Sequence, residues 1–481
     1  MNISEHRHPD SLRIFFLTEM WERYGYYVVQ TLLILYLTFH FHWEDARAFE
    51  LVGTFTAMTY ISSLLGGWIA DHLLGQKRAI IIATFILFLS YLVLAIFVSR
   101  MGLLMALAGI CVGTGLLKPN ISSLLGNEYS IQSPRRESGF TLFYIGITSG
   151  IILGSTVPNI INHKFGWPMA FLSASLGIVF ALIIFSYGIY RYKIADYHPY
   201  VYSFRKSVAT LLLILLLYFS ALEIFDYPTI ANTAFSAIIF LCIVYLIHAA
   251  KTATGLQSRQ NIVIGLLCLI SSLFWAFYFQ MFSSFSLLIT RIIEPTLFGI
   301  SFPAPYYIAV QSFGLVVFGI LLARPRHHKN IAVQAINIGK KFTTAMLLMT
   351  VAYAITTLVL QFNLNPALLS PLLIIPVYLM ISIAELLLSP VGLAAITLLS
   401  SPKKVSTMMG IFFVSLGTGG FLSGKLATLA AVPSTDAPVQ TLKMIYSVAF
   451  SKMLGLLILA TIVCFFINWL IKSLLKNKIQ E

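Results

Sequence analysis

The sequence predicts an all-α polytopic membrane protein of fourteen transmembrane helices, and three observations predict it. Of its 481 residues, 58% are hydrophobic and 10% charged, with a mean hydropathy of +0.88, a composition outside the range of soluble globular domains. Fourteen apolar segments of about 20 residues or more are each long enough to cross some 30 Å of hydrocarbon. They fall near 11–39, 48–73, 79–98, 101–126, 138–161, 167–190, 206–225, 230–250, 260–290, 304–323, 342–361, 367–399, 406–432 and 446–471. Finally, the basic residues gather in alternate loops, as a chain threading a bilayer requires.

The first segment is the most informative. EMWERYGYYVVQ sets Glu19, Glu22 and Arg23 on one helical stripe, and Tyr26, Tyr27 and Gln30 continue it at helical spacing. Ionisable groups at membrane depth cost about 2.5 to 3.5 kcal/mol each on insertion scales and are kept mainly for ion or substrate handling. A salt-bridged seam that merely locks two helices is the plainer alternative, and three charges followed by two phenols outweigh it. The polar stretch before this segment, MNISEHRHPDSLR, runs into a helix too long and too charged for a cleavable signal, so insertion by a signal anchor with Met1 retained is expected.

The second and third segments are joined by the short loop in GGWIADHLLGQKRAI. In the fourth, GTGLLKPNISSLLGNEY places Lys118 directly before Pro119. The proline removes the amide that would bond the carbonyl of Gly115, so a bend is expected. Lys118 lies too deep in its run to snorkel, which predicts a buried partner in the Glu19/Glu22/Arg23 cluster. The twelfth segment repeats the device in the other half of the chain: ISIAELLLSPVGLAAI sets Glu385 five residues before Pro390. Proline-interrupted helices in corresponding halves point to a midplane substrate site. Glu385 has no basic neighbour in sequence: it is either protonated in the membrane or, the favoured reading, awaiting a cationic ligand. Lys425 and Lys452, in the last two segments, read as snorkelling to the outer headgroups. Cys111, Cys242, Cys268 and Cys464 lie in apolar runs with neither disulfide nor metal spacing.

Charge sets the orientation. With both termini cytoplasmic, 22 of the 31 Lys and Arg residues fall inside, against five in outer loops: Arg47, Arg100, Lys164, Arg291 and Lys443. The net charge of +14 is then explained by topology and anionic lipid headgroups, without nucleic acid. No Ser/His/Asp set, metal cluster or phosphate-cradling loop stands at membrane depth, so an enzyme is not expected.

Several motifs, in order and correctly spaced, resemble one family. EMWERYGYY is similar to the E-x-x-E-R-F-x-Y-Y signature of the proton-dependent oligopeptide transporters, a branch of the major facilitator superfamily, with Tyr24 in place of Phe. GTGLLKPNISSLLGNEY followed by SPRRESGFTLFYIGI resembles its second signature; FWAFYFQMFSSFSL and ELLLSPVGL resemble its helix 7 and helix 10 segments. The resemblance implies the major facilitator fold: a six-helix bundle over 1–195, a two-helix insertion over 196–255 and a second six-helix bundle over 256–481. It implies proton-coupled import of di- and tripeptides across the inner membrane by alternating access, without cofactor or metal, by a monomer. Glu19, Glu22, Arg23 and Lys118 would couple protons. Tyr26, Tyr27, Gln30, Tyr60, Lys118 and Trp275 would line the substrate site, with Lys118 and Gln30 at the peptide carboxylate and Glu385 at its amino terminus.

The departures bear on substrate. Where the family usually has an arginine, a helix 7 acid and asparagines on helices 5 and 8, this chain has Gln30, Phe279, Thr148 and Gly314; a helix 11 tryptophan and asparagine are Phe412 and Gly420. Glu385 is thus expected to lack its usual helpers. A proton-coupled relative for a non-peptide substrate, such as an amino acid derivative, nitrate or a small glycoside, is the alternative this leaves open.

Overall fold

The computed structural model describes residues 7–129, 133, 135–196, 203–322, 331–401, 404–433 and 437–475. Arg324, Arg326, Lys329, Lys403, Lys476 and Lys478, counted above among the inner charges, lie outside the described residues. Fifteen α-helices follow one another: α1 (Leu12–Leu35), α2 (Asp45–Ile69), α3 (Gln76–Ile96), α4 (Arg100–Asn127), α5 (Arg136–Phe165), α6 (Trp167–Tyr192), α7 (Phe204–Asp226), α8 (Pro228–Thr252), α9 (Gly255–Tyr278), α10 (Ser284–Ile292), α11 (Ala304–Leu322), α12 (Ile331–Phe362), α13 (Ile375–Leu399), α14 (Val405–Ala427) and α15 (Val439–Leu475). Strands β1 (Thr296–Leu297) and β2 (Ile300–Ser301) form a small antiparallel hairpin.

Among the described residues thirteen helical spans are long and apolar enough to cross a membrane, α9 and α10 counting as one. The fourteenth is α1, whose own acids and arginine lower its apolarity. The single span expected at 260–290 is interrupted by a 3₁₀ turn at Phe279–Phe282. Side chains take up the polar groups there: Ser284 Oγ donates to Gln280 Oε1 at 2.6 Å, Ser286 Oγ to the Met281 carbonyl at 2.7 Å, and Gln280 Nε2 to the Ser423 carbonyl at 2.8 Å. Pro119 and Pro390 both lie inside continuous helices. The carbonyl of Gly115 that Pro119 leaves free packs on Gly66, where a Cβ would collide with it.

The chain divides into two compact units, one of the residues through Tyr36 with Met58–Ile230, the other of Leu37–Ala57 with the residues from Ala231 on. In the first, α1 packs on α5 and α6, α3 on α4 and α6, and α7 on α4. Gly75 (φ 78°) and Gly166 (φ 81°) take left-handed conformations at the turns into α3 and α6, which a side chain would strain. In the second, α12 packs on α13 and α15, α9 on α14, and α11 on α13. The spans of α7 and α8 are only 17% and 11% buried, and their exposed faces are leucine, isoleucine and phenylalanine, suited to lipid.

The N-terminal end of α2 is held within the second unit. Arg291 of α10 grips Asp45 with two hydrogen bonds, Nη1 to Oδ2 at 2.6 Å and Nη2 to Oδ1 at 2.8 Å, and donates to Tyr446 Oη at 3.0 Å. The Val432 amide also donates to Asp45, at 3.0 Å. Lys425 pairs with Glu50 at 2.6 Å instead of snorkelling, and Gly53 lies against Gly424 so closely that a Cβ would sit 2.6 Å from its Cα. Two of the five expected outer-loop cations are thus buried on helices. Lys443, wholly buried on α15, donates to the carbonyls of Asn365 and Ala367. The four cysteines are free.

Candidate functional site

In the first unit α1 carries the expected stripe, and it is buried: Glu19 is 2% exposed, Glu22 0%, Arg23 5% and Gln30 2%. Arg23 Nε donates to Glu22 Oε2 and lies 3.3 Å from Glu19 Oε1, so one guanidinium serves two carboxylates. Glu19 Oε2, Glu22 Oε1 and Arg23 Nη2 are buried without a partner among the described residues. A proton can add at either free carboxylate oxygen, and an anion at the free Nη2. The guanidinium carbon stands 5.2 Å from the Tyr26 ring. One turn on, Tyr26 Oη donates to Gln30 Oε1 at 3.2 Å and lies 3.3 Å from Thr59 Oγ1. Tyr26 and Tyr27 meet edge to face at 5.4 Å.

Lys118 departs from the expected pairing. Its ammonium sits 4.3 Å over the Tyr60 ring, and among the described residues it forms no ion pair. Arg23 holds one oxygen of each acid, and the lysine, beyond salt-bridge distance of the others, makes a cation–π contact and keeps hydrogen-bonding capacity for a ligand.

The register of this cluster depends on a signal that the motif reading passed over. Gly146, Gly150 and Gly154 recur every fourth residue on α5 and lie against α1. A Cβ at Gly150 would meet Arg23 Cβ at 2.8 Å, and one at Gly154 the Tyr24 carbonyl at 2.7 Å. Small residues at this spacing let helix backbones approach closely. Thr148 donates to the Tyr144 carbonyl of its own helix at 3.0 Å.

In the second unit three helices converge on Glu385 of α13. Tyr278 Oη of α9 donates to its Oε2 at 2.8 Å, and Gln311 Nε2 of α11 donates to the same oxygen at 2.7 Å. Glu385 is thus not without support, although its donors are not at the positions where the family pattern would place its helpers. Gly314 packs closely on α13: a Cβ there would sit 2.6 Å from Ser382 Oγ. Ser382 Oγ in turn donates to the Gln311 carbonyl at 2.7 Å. Trp275 lies one turn before Tyr278, edge to face with it at 4.7 Å and stacked on Phe279 at 5.2 Å. Its Nε1 is buried without a partner among the described residues. Phe412 fills the space beside Gly392, and Gly420 packs on Ala57.

Each half of the chain thus buries a charged group with unused hydrogen-bonding capacity, inside a nearly all-helical fold with fourteen spans among the described residues. The sequence profile of the POT family (PTR2) matches residues 77–445. The chain belongs to the POT family. It is 30% identical over 477 residues to dipeptide and tripeptide permease B of Salmonella typhimurium, spanning 96% of this chain and 95% of that one. To dipeptide and tripeptide permease A of Erwinia pyrifoliae it is 29% identical over 437 residues, 90% of this chain and 88% of the relative. Among solved structures, a chain from work on substrate recognition in proton dependent oligopeptide transporters superposes with a TM-score of 0.80 at 26% identity, covering 97% of this chain and 99% of that one. Tetrameric PepTSo2 superposes with a TM-score of 0.83 at 25% identity, covering 96% and 99%. The fold of this POT protein is that of the major facilitator superfamily, with two helices beyond the two six-helix bundles. It is a multi-pass membrane protein of a transporter family.

Proposed function

We propose that this POT protein is a proton-coupled symporter that imports di- and tripeptides across the inner membrane, as a monomer with both termini in the cytoplasm. The observation that carries the reading is the buried Glu19–Arg23–Glu22 cluster, in which one arginine is shared by two acids. When Glu22 or Glu19 takes up a proton, its attraction to Arg23 falls and the guanidinium is released toward a substrate carboxylate. Lys118, seated over the Tyr60 ring without a salt bridge among the described residues, is a second cation for that end, with Gln30, Tyr26 and Tyr27 as further ligand-facing groups. Glu385 supplies the opposite charge for an ammonium group, and Trp275 an apolar wall. Each half of the protein therefore carries charge complementary to one end of a zwitterionic peptide.

Return of the proton to the cytoplasm restores the Arg23 pairs, so an empty, deprotonated protein resets to its starting state. One proton moving down 100 mV contributes about 2.3 kcal/mol, and one pH unit about 1.36 kcal/mol more. Names of the relatives, dipeptide and tripeptide permeases, support the peptide substrate over the non-peptide alternative. The test is competition in proteoliposomes under an imposed proton gradient, with a mixed di- and tripeptide library against single amino acids, nitrate and a glycoside. Uptake confined to peptides is expected; uptake confined to any other class overturns the reading.

A further inference from the structure

Glu385 is supported by two neutral donors and by no cation. Among the described residues it forms no ion pair, yet two hydrogen bonds from separate helices meet on its Oε2. Donors of this kind stabilise a carboxylate without cancelling its charge, whereas a lysine or arginine would do both. Because both bonds fall on one oxygen, the other is left to face a ligand. Oε1 accepts nothing from the described residues and is not among their sealed polar atoms.

Each donor is itself fixed. The Tyr278 ring is braced by Trp275 at 4.7 Å. Gln311 is 2% exposed, and its backbone is tied to α13 through Ser382, one turn before Glu385. The close approach of α11 to α13 at Gly314 makes the 2.7 Å bond from Gln311 reachable.

We propose that Tyr278 and Gln311 are positioning residues for substrate recognition: they hold Glu385 Oε2 so that Oε1 alone is presented, charged and unneutralised, to the ammonium group of a peptide. This rests on the reading that Glu385 meets that group. Both residues act on the carboxylate and not on the ligand itself. The same oxygen cannot discriminate for a substrate without an ammonium group, so the effect of either residue is confined to ligands that carry one.

The experiment compares alanyl-alanine with its des-amino counterpart, N-propionyl-alanine, in proteoliposomes of the full chain, for wild type, Tyr278→Phe, Gln311→Leu and Glu385→Gln. Losing one hydrogen bond that acts on the ligand only through Glu385 corresponds to roughly the 3- to 10-fold change of a typical net hydrogen bond. Tyr278→Phe and Gln311→Leu are therefore each expected to raise KM for the dipeptide by about 3- to 10-fold with Vmax within about twofold, while KM for the des-amino compound stays put. KM does not depend on how much protein is active, so a poorly folding variant remains informative, and Gln311→Met offers a second chance at that position. Residues present only to satisfy a buried carboxylate would shift melting temperature and leave the ratio of the two KM values alone. If Glu385→Gln erases the preference for the dipeptide while Tyr278→Phe and Gln311→Leu preserve it, the positioning role is overturned and the ammonium site stands. If Glu385→Gln itself leaves the preference intact, the ammonium site falls and the positioning role with it.

Discussion

Removing Arg291 tests how the N-terminal end of α2 is held. In the folded protein both partners are buried, the Arg291 side chain 4% exposed and that of Asp45 2%. Asp45 accepts two bonds from the guanidinium and one from the Val432 amide. Arg291→Leu leaves that carboxylate in a buried site with a single neutral donor. Breaking a buried pair from one side costs about 3 to 5 kcal/mol, because the abandoned charge stays desolvated. Asp45→Leu leaves an abandoned guanidinium whose remaining partner is Tyr446, and should cost a similar amount. The double variant removes both charges, and a buried pair replaced by apolar groups is often close to neutral. What it still loses is the acceptor of the Val432 amide and the donor to Tyr446, about 1 to 3 kcal/mol for each group left unsatisfied. The double-mutant cycle, followed by reversible unfolding in mixed micelles, should therefore give a coupling energy above about 1.5 kcal/mol, with the double variant no less stable than Arg291→Leu alone. Additive losses within about 0.5 kcal/mol would refute the reasoning and make the contact incidental.

Glu22→Gln keeps an acceptor for Arg23 but removes the protonation step, so proton-driven accumulation should stop while counterflow of labelled dipeptide continues; concentrative uptake by this variant would contradict its role. Gly150→Val places a branched side chain where a Cβ alone would lie 2.8 Å from that of Arg23, and should lower both melting temperature and uptake, whereas a wild-type melting curve would show that α5 can retreat at no cost. For topology, the native cysteines are buried or half-buried, so single cysteines at exposed Thr254 and Phe298 can be labelled against a low background. Phe298→Cys should react with an impermeant maleimide in intact cells and Thr254→Cys only after permeabilisation; the reverse pattern would invert the membrane orientation.

The fold was legible because bilayer crossing demands long apolar runs, and the fourteen read from the chain correspond to the helical spans observed. Hydropathy was blind to the break between α9 and α10, since Gln280, Ser284 and Ser286 satisfy its polar groups internally and leave the run apolar. Counting basic residues by loop misjudged Arg291 and Lys443, which sit on helices with their charges buried; sequence position alone does not separate a solvated loop cation from one caged by carbonyls. On the candidate site, helical spacing sufficed to put Glu19, Glu22, Arg23 and Gln30 on one buried stripe. It could not decide which cation meets the acids, because that depends on which helix brings its side chain nearer, and Lys118 rests on Tyr60 instead. Comparison by position also hid the support of Glu385, because its two donors, Tyr278 and Gln311, stand at positions other than 148, 279 and 314.

The central claim is that peptide and proton cross together, and proton influx measured during peptide uptake tests it most directly. Proteoliposomes at equal inner and outer pH, loaded with a trapped pH-sensitive dye and clamped at an inside-negative potential, would be given an external dipeptide. Acidification of the lumen that begins on dipeptide addition, is absent with the matching free amino acids and is lost in Glu22→Gln is the predicted result. Dipeptide uptake at the wild-type rate with no change in lumenal pH would contradict symport.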